Sequence, residues 1–309
     1  MQPSFAARLP LSRFQLDRDA AARERPQLFE ELWADPATRI LPIYQGAALL
    51  ASPTSLALLP VSAAPEGDLR VYLGRSISPT SPEPVGTPIV AVEIEDATQL
   101  AEAAWGSLRS IGAVLDDRDA GMLTEALAIL NWHASHRFSP RTGEPTIVEK
   151  GGWVRRDPVS NTEIFPRTDP AVIVGVIDAD DRLLLGSNAL WESNRYSLLA
   201  GFVEPGESFE AAIVREILEE SGIPVIDPVY LGSQPWPFPA SIMVGFTARV
   251  DPAFTGDATP DGTEIMDLRW FSREELAASL DEILLPGRVS IARAIVEEWY
   301  GAEIDDGQA

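Results

Sequence analysis

Cysteine is missing from the chain. Its absence excludes disulfides, thiol nucleophiles and every thiolate-held zinc or iron–sulfur site. Histidine occurs twice, at His133 and His136. Metal ligation is conceivable at that spacing, but with no cysteine nearby to complete a zinc site the pair is read as packing or capping. Lysine occurs once, as Lys150, and acids outnumber bases so far that the formal net charge is -23. A field of that sign repels nucleic acid and anionic lipid at long range. Extended phosphate-backbone binding is disfavoured, although a local arginine patch could hold a short phosphorylated substrate; solubility is the plainer use of the acidity. No apolar run reaches the ~18 residues of a membrane span, and the opening MQPSFAARLPLSRF has neither an apolar h-region nor a small-residue cleavage site. A cytoplasmic protein without membrane contact is expected.

The 309 residues exceed one typical domain. Residues 1–130 mix a helical segment at Gln27–Trp33 with short β-like runs such as Ile40–Tyr44, Leu69–Leu73 and Ile89–Val92. Helices are predicted at Ala97–Trp105 and Met122–His136. This part reads as an α+β accessory domain for scaffolding or dimerisation, without a catalytic constellation. Residues 131–168, rich in Gly, Pro and Thr, read as a connector. Residues 169–303 interleave strands, among them Ala171–Ile177, Tyr196–Ala200 and Ile242–Val250, with helices at Phe209–Ser221, Arg273–Leu280 and Ser290–Trp299. That alternation predicts an α+β sandwich.

The chemistry concentrates in GFVEPGESFEAAIVREILEESGI, Gly201–Ile223. Two glycines and a proline within six residues make a loop. Ser208 offers an N-cap, Gly222 a left-handed stop, and Ala212, Ile213, Ile217 and Leu218 an apolar side. Glu216, Glu219 and Glu220 stand at i, i+3 and i+4, so their carboxylates share a face. Hard oxygen donors so clustered suit Mg²⁺ or Mn²⁺.

This stretch resembles the Nudix box, G-x5-E-x7-R-E-U-x-E-E-x-G-U, through Gly201, Glu207, Arg215, Glu216, Ile217, Glu219, Glu220, Gly222 and Ile223. The resemblance implies a C-terminal Nudix α/β/α sandwich and an N-terminal Nudix-like accessory domain. It implies metal ligands Glu216, Glu219, Glu220 and the carbonyl of Ala200, with Glu220 as the most sensitive position. Arg215 would orient the loop by pairing with a carboxylate such as Glu207. A second array, Ser233–Ser241 (SQPWPFPAS), resembles the motif of the NAD(H) pyrophosphatase subgroup. It implies substrate contacts from Gln234, Trp236, Phe238 and Ser241. The same resemblance gives Phe202 as a nicotinamide-stacking ring, Phe165 as a ring contributed from the second copy of a homodimer, and Ser290 as a C-terminal contact. Glu264 would be a distal metal ligand, with Asp267 as the alternative acid. Many members carry a zinc ribbon in the connector; here Ser139, Thr142, Asp157 and Ser160 stand at the cysteine positions, so no structural zinc is expected.

The implied activity is metal-dependent cleavage of the NADH or NAD⁺ diphosphate to NMN(H) and AMP. Removal of an NAD cap from RNA 5′ ends would use the same bond. The rivals are a Nudix hydrolase of another substrate, such as ADP-ribose, and a non-catalytic nucleotide sensor.

Overall fold

Strand Asp169–Ile177 is buried along nearly all its length, and the C-terminal fold is built on it. It pairs in parallel with Ser241–Val250, from Asp169↔Ser241 through Ile177↔Arg249. Antiparallel to it runs Leu199–Phe202, which sets Ile173 opposite Ala200 and Val172 opposite Gly201. Side chains alternate across such a strand. Val172, Val174 and Val176 pack with Ala212, Ile213 and Ile217 of helix Phe209–Ser221. Ile173 and Ile177 pack on the other face with Ile291, Ile295 and Trp299 of helix Ile291–Tyr300. Each isoleucine so removed from water stabilises the layer by roughly 1.5–3 kcal/mol. The result is a helix/sheet/helix sandwich on a six-stranded sheet.

The computed structural model describes residues 4–100 and 104–307. By Cα packing the chain forms two units, Met1–Ser12 with Asp169–Pro235 and Ser241–Ala309, and Arg13–Thr168 with Trp236–Ala240. Residues 4–12 thus group with the C-terminal sandwich, where Leu9 is fully buried in the core around Ile295. The other unit is α+β as well. Its sheet centres on a parallel pair, Arg39–Tyr44 with Pro88–Ile94, over a core of Ile40, Tyr72, Val90 and Val92. Helix Asp117–Ser135 begins at Asp116, whose side chain accepts from the Asp119 amide. Among the described residues no helix is long and apolar enough to cross a membrane.

Several elements differ from the sequence reading. Of the helix expected over Ala97–Trp105, Ala97–Leu100 is a single 3₁₀ turn, residues 101–103 lie outside the described residues, and Trp105 opens a strand. Pairing with Leu49 and packing on Tyr44 override the local helical spacing there. The expected strand at Val229–Gly232 runs from Val225 to Trp236 and takes in the start of the proline array. It is an edge strand, where the missing amide of Pro235 costs no ladder bond.

In the connector, Ile147–Glu149, Val154–Arg156 and Glu163–Ile164 form a small antiparallel sheet. The four positions that stand for ribbon cysteines come together by hydrogen bonding. Asp157 Oδ2 accepts from Ser139 Oγ at 2.7 Å and Thr142 Oγ1 at 2.8 Å, while Oδ1 accepts from the amides of Val159 and Ser160. His133, expected to pack, is buried between Gly152 O and the Arg155 guanidinium; since arginine only donates, Nδ1 accepts and Nε2–H donates to the carbonyl. His136 bonds back to the Trp132 carbonyl at the helix end.

Burial alone would push the Asp157 carboxyl up, but the hydrogen bonds from Ser139, Ser160 and Thr142 outweigh it and hold the group well below the usual carboxylate range. A native pKa below the unfolded value of about 3.9 stabilises the fold above that pH, and the contribution disappears as pH falls through the native value. Asp157→Asn is therefore expected to melt below wild type at pH 7, with the gap narrowing once pH drops under about 4. Thermal melts from pH 7 to 3 measure this; a pH-independent gap would refute it.

Candidate active site

The loop after strand Leu199–Phe202 turns at Gly206, whose φ of +99° favours glycine, and enters the helix at Ser208. Ser208 Oγ accepts from the Ala211 amide at 3.1 Å. Gly222, at φ +70°, closes the helix in the left-handed region. Both ends stand where the sequence places them.

On this helix Glu216 and Glu220 lie on the inward side with Ala212, Ile213 and Ile217, whereas Leu218 is 49% exposed and leaves the apolar stripe. Glu216 folds over the loop. A Cβ added at Gly201 would lie 2.0–2.3 Å from the Glu216 carboxyl atoms, so any larger residue there must displace that carboxyl. Glu219 does not share this inward face: its side chain is largely exposed and reaches back to Arg215 at 3.1 Å. The like charges are separated by one cation rather than stacked in a row.

Arg215 is the clamp. Its Nε and one terminal nitrogen grip Glu207 in a two-point bond (2.6 and 2.8 Å), and that same nitrogen donates to the Phe202 carbonyl at 3.0 Å. The other terminal nitrogen pairs with Glu216 at 2.8 Å as well as with Glu219. Glu207 also accepts from the Glu204 amide. These bonds, Arg215 foremost, lower the Glu207 carboxyl to about 2. Arg215 thereby ties both ends of the loop to the helix, a structural part.

Glu220 is different. It is buried, and its Oε2 has no hydrogen-bond partner. Burial above all, then repulsion from Glu264, Glu216 and Asp261, pushes its carboxyl up to about 8, with only the Ala200 amide acting the other way. Glu216 is raised too, by burial first, against the pull of Arg215. Glu264 faces these two as a third charge. It is positioned by Asp261, whose Oδ1 accepts the amides of Thr263, Glu264 and Ile265, and by Asn188, which donates to Glu264 Oε1 at 3.2 Å. Asp267, the alternative acid, is committed instead to Tyr196 Oη and Arg269. Asp261 and Asn188 escaped the sequence reading; the D-x-T-E spacing of an Asx turn ahead of Glu264 was the available signal.

These residues fit a divalent cation. A buried carboxylate oxygen without a donor is costly unless paired, and the donors around it are hard oxygens. Glu216 and Glu220 would hold the ion, with Glu219, Glu264 and the Ala200 carbonyl at its margin. Among the described residues no three His, Asp or Glu side chains already converge as a cage. Mg²⁺ keeps several waters and is bound through one or two carboxylates plus substrate phosphates, so it needs none.

The remaining expected residues are dispersed. Phe202 is 58% exposed beside the loop. Gln234 is fully buried, and its amide is used within the sandwich: Nε2 donates to the Val289 carbonyl and Oε1 accepts from the Leu11 amide. The donor and acceptor expected to face a substrate are thus spent on backbone groups. Ser241 is buried opposite Asp169. Ser290 caps helix Ile291–Tyr300 by accepting from the Ala292 amide. Trp236 and Phe238 group with the Arg13–Thr168 unit and meet edge to face at 4.9 Å. Phe165, in that same unit, is 59% exposed.

Gly201→Ala is expected to displace the Glu216 carboxyl and lower kcat on the order of 10²-fold, as misplacement by an ångström does. Steady-state kinetics with a circular-dichroism check of folding measure it. A folded variant with wild-type kcat would mean that the glycine is dispensable.

Residues 167–293 match the model of the NUDIX domain, and residues 37–132 match that of the NADH pyrophosphatase-like rudimentary NUDIX domain. Curated relatives named NAD-capped RNA hydrolase NudC, from Mycobacterium bovis and Mycobacterium tuberculosis, are each 40% identical over 306 residues, covering 94% of this chain and 92% of the relative. A Homo sapiens protein named NAD-capped RNA hydrolase NUDT12 is 36% identical over 200 residues, covering 60% of this chain and 42% of its own length. With the catalytic loop, the accessory unit and near-full-length similarity in agreement, the chain belongs to the Nudix hydrolases, in the NADH pyrophosphatase subgroup.

Proposed function

We propose that this chain hydrolyses the diphosphate of NADH or NAD⁺ to NMN(H) and AMP, and that NAD-capped RNA 5′ ends are cleaved at the same bond. The observation that carries the chemistry is the buried, donorless Oε2 of Glu220 beside Glu216 and the glycine loop. The substrate class is supported by the 40% identity to NAD-capped RNA hydrolases across 94% of the chain, and by the intact Ser233–Ser241 array.

A Mg²⁺ or Mn²⁺ ion, when bound, neutralises diphosphate charge and makes water a nucleophile near neutral pH. The protein's own part is to hold, orient and receive. Glu216 and Glu220 supply the carboxylates, and Gly201 lets Glu216 lie against the loop. Arg215, fixed on Glu207, keeps loop and helix in register without touching the reacting atoms. In this reading Glu220 takes the proton of the attacking water. That oxygen adds to one phosphorus, the bridging P–O bond breaks, and the departing phosphate oxygen leaves with the nucleotide monophosphate. Phe202 offers an open ring face for the nicotinamide. Gln234 and Ser290 act through the scaffold, by the bonds that already occupy them. A homodimer, with Phe165 supplied to the second copy, completes the proposal.

Glu220→Gln is expected to cut AMP release from NADH by about 10²–10⁴-fold, the range of a positioned proton acceptor. Chelation of divalent ions should abolish wild-type turnover, with Mg²⁺ or Mn²⁺ restoring it. Near-normal turnover in the variant, or in EDTA, would overturn the proposal; tight NADH binding with no metal-stimulated AMP release would favour a sensor.

A further inference from the structure

Trp191 is set apart from the other tryptophans of the chain. Of the eight, it alone is an exposed residue, with 42% of its surface open to solvent. Each of the other seven has an aromatic ring or an arginine guanidinium against it, including Trp270 under Arg182 and Trp299 under Arg273 in the same unit. Among the described residues neither a ring nor a guanidinium stacks on Trp191. A large, rigid indole left with an open face has stacking area still to use.

The backbone of Trp191 is tied to the border of the carboxylate site. Its amide donates to the Asn188 carbonyl at 3.0 Å, closing a tight turn, and Asn188 Oδ1 accepts from the Leu190 amide at 2.9 Å. Asn188 Nδ2 in turn donates to Glu264 Oε1, and the Ala189 amide donates to the Glu264 carbonyl at 2.8 Å. Glu264 is the charge that faces both Glu216 and Glu220. The far end of the loop is pinned as well. The Leu284 amide donates to the Asn194 carbonyl at 2.8 Å, and the Tyr196 amide donates to the Leu284 carbonyl at 2.9 Å. Trp191 therefore stands on a braced loop beside Glu264, as Phe202, 58% exposed, stands beside Gly201.

A dinucleotide carries one base at each end of its diphosphate. With a cation on the carboxylates holding the diphosphate, each base needs a surface of its own bordering them. In a chain of net charge -23, a neutral ring supplies that surface without a further acid. Base-on-ring stacking uses only the π-face, so it needs no hydrogen-bonding partner in place. We propose that Trp191 is the stacking platform for the adenine of the dinucleotide, as Phe202 is for the nicotinamide. The inference rests on the diphosphatase reading above and extends it to the second base. Adenosine is common to NADH, NAD⁺ and an NAD-capped RNA end, so one platform serves all three.

The test is isothermal titration calorimetry of AMP and of NMN into the full chain with Mg²⁺, for wild type, Trp191→Ala, Trp191→Phe and Leu190→Ala. Trp191→Ala is expected to weaken AMP about tenfold or more, the loss of one base stack, and to leave NMN within about twofold. In steady state the same variant should raise KM for NADH with kcat little changed. Trp191→Phe, which keeps a π-face, should recover most of the AMP affinity. Leu190→Ala, on the same loop and at a side chain 92% exposed, should bind both nucleotides as wild type does. Unchanged AMP affinity in Trp191→Ala, equal losses for AMP and NMN, an equal AMP loss in Leu190→Ala, or a wild type that binds no AMP would each overturn the platform. A wild type that binds AMP but releases none from NADH sinks the diphosphatase reading instead, and the calorimetric comparison still decides the platform.

Discussion

A buried carboxylate, Glu220, and a half-buried one, Glu216, share the inward side of one helix, and the C-terminal unit is shaped by that cost. Placing an ionised carboxylate out of water is expensive by several kcal/mol unless a partner compensates. Glu216 is compensated by Arg215. Glu220 is not, and burial with neighbouring charge drives it toward its protonated form. The fold carries this burden because the helix is fixed elsewhere, by Ala212, Ile213 and Ile217 in the core and by caps at both ends. Strand pairing sets Gly201 opposite Val172, and the absent Cβ makes room for Glu216. A bound cation would relieve the repulsion and supply the reaction's electrostatics together.

Arg215 shows how one residue serves stability and chemistry without reacting. Its two-point grip on Glu207 and its bond to the Phe202 carbonyl join loop to helix. By drawing Glu219 outward it also leaves Glu216 and Glu220 as the inner pair. The aromatic array is organised differently. Its glutamine is consumed by the sandwich, while Trp236–Ala240 groups with residues 13–168, where Asn131 donates to the carbonyls of Pro237 and Pro239. Residues 13–168, which on sequence read as scaffolding or dimerisation, therefore grip the part of the array that presents rings.

Local signals were legible where local physics decides. Ser208 and Gly222 follow from capping geometry and the Glu207–Arg215 pair from the resemblance to the Nudix box, and the structure shows each of them. The apolar run Ala171–Ile177 announced a buried strand, which the structure extends back to Asp169. What remained hidden depends on distant partners. Leu9 belongs to the core around Ile295, but a short segment broken by Pro10 has no period to reveal it. The amide of Gln234 looks free on paper because its acceptor is Val289 and its donor Leu11. Ser139, Thr142 and Asp157 read as lost metal ligands, whereas in space they make a hydrogen-bonded knuckle around one carboxylate. Leu218 fits a helical apolar pattern by composition, yet the stripe turns past it.

The central claim is that the unpartnered oxygen of Glu220 is a cation ligand. Anomalous diffraction from crystals grown with Mn²⁺ and AMP tests it most directly. The account predicts a manganese peak in coordination contact with Glu220 Oε2 and with Glu216. A protonated Glu220 hydrogen-bonded to another acceptor, with manganese bound elsewhere, would contradict it.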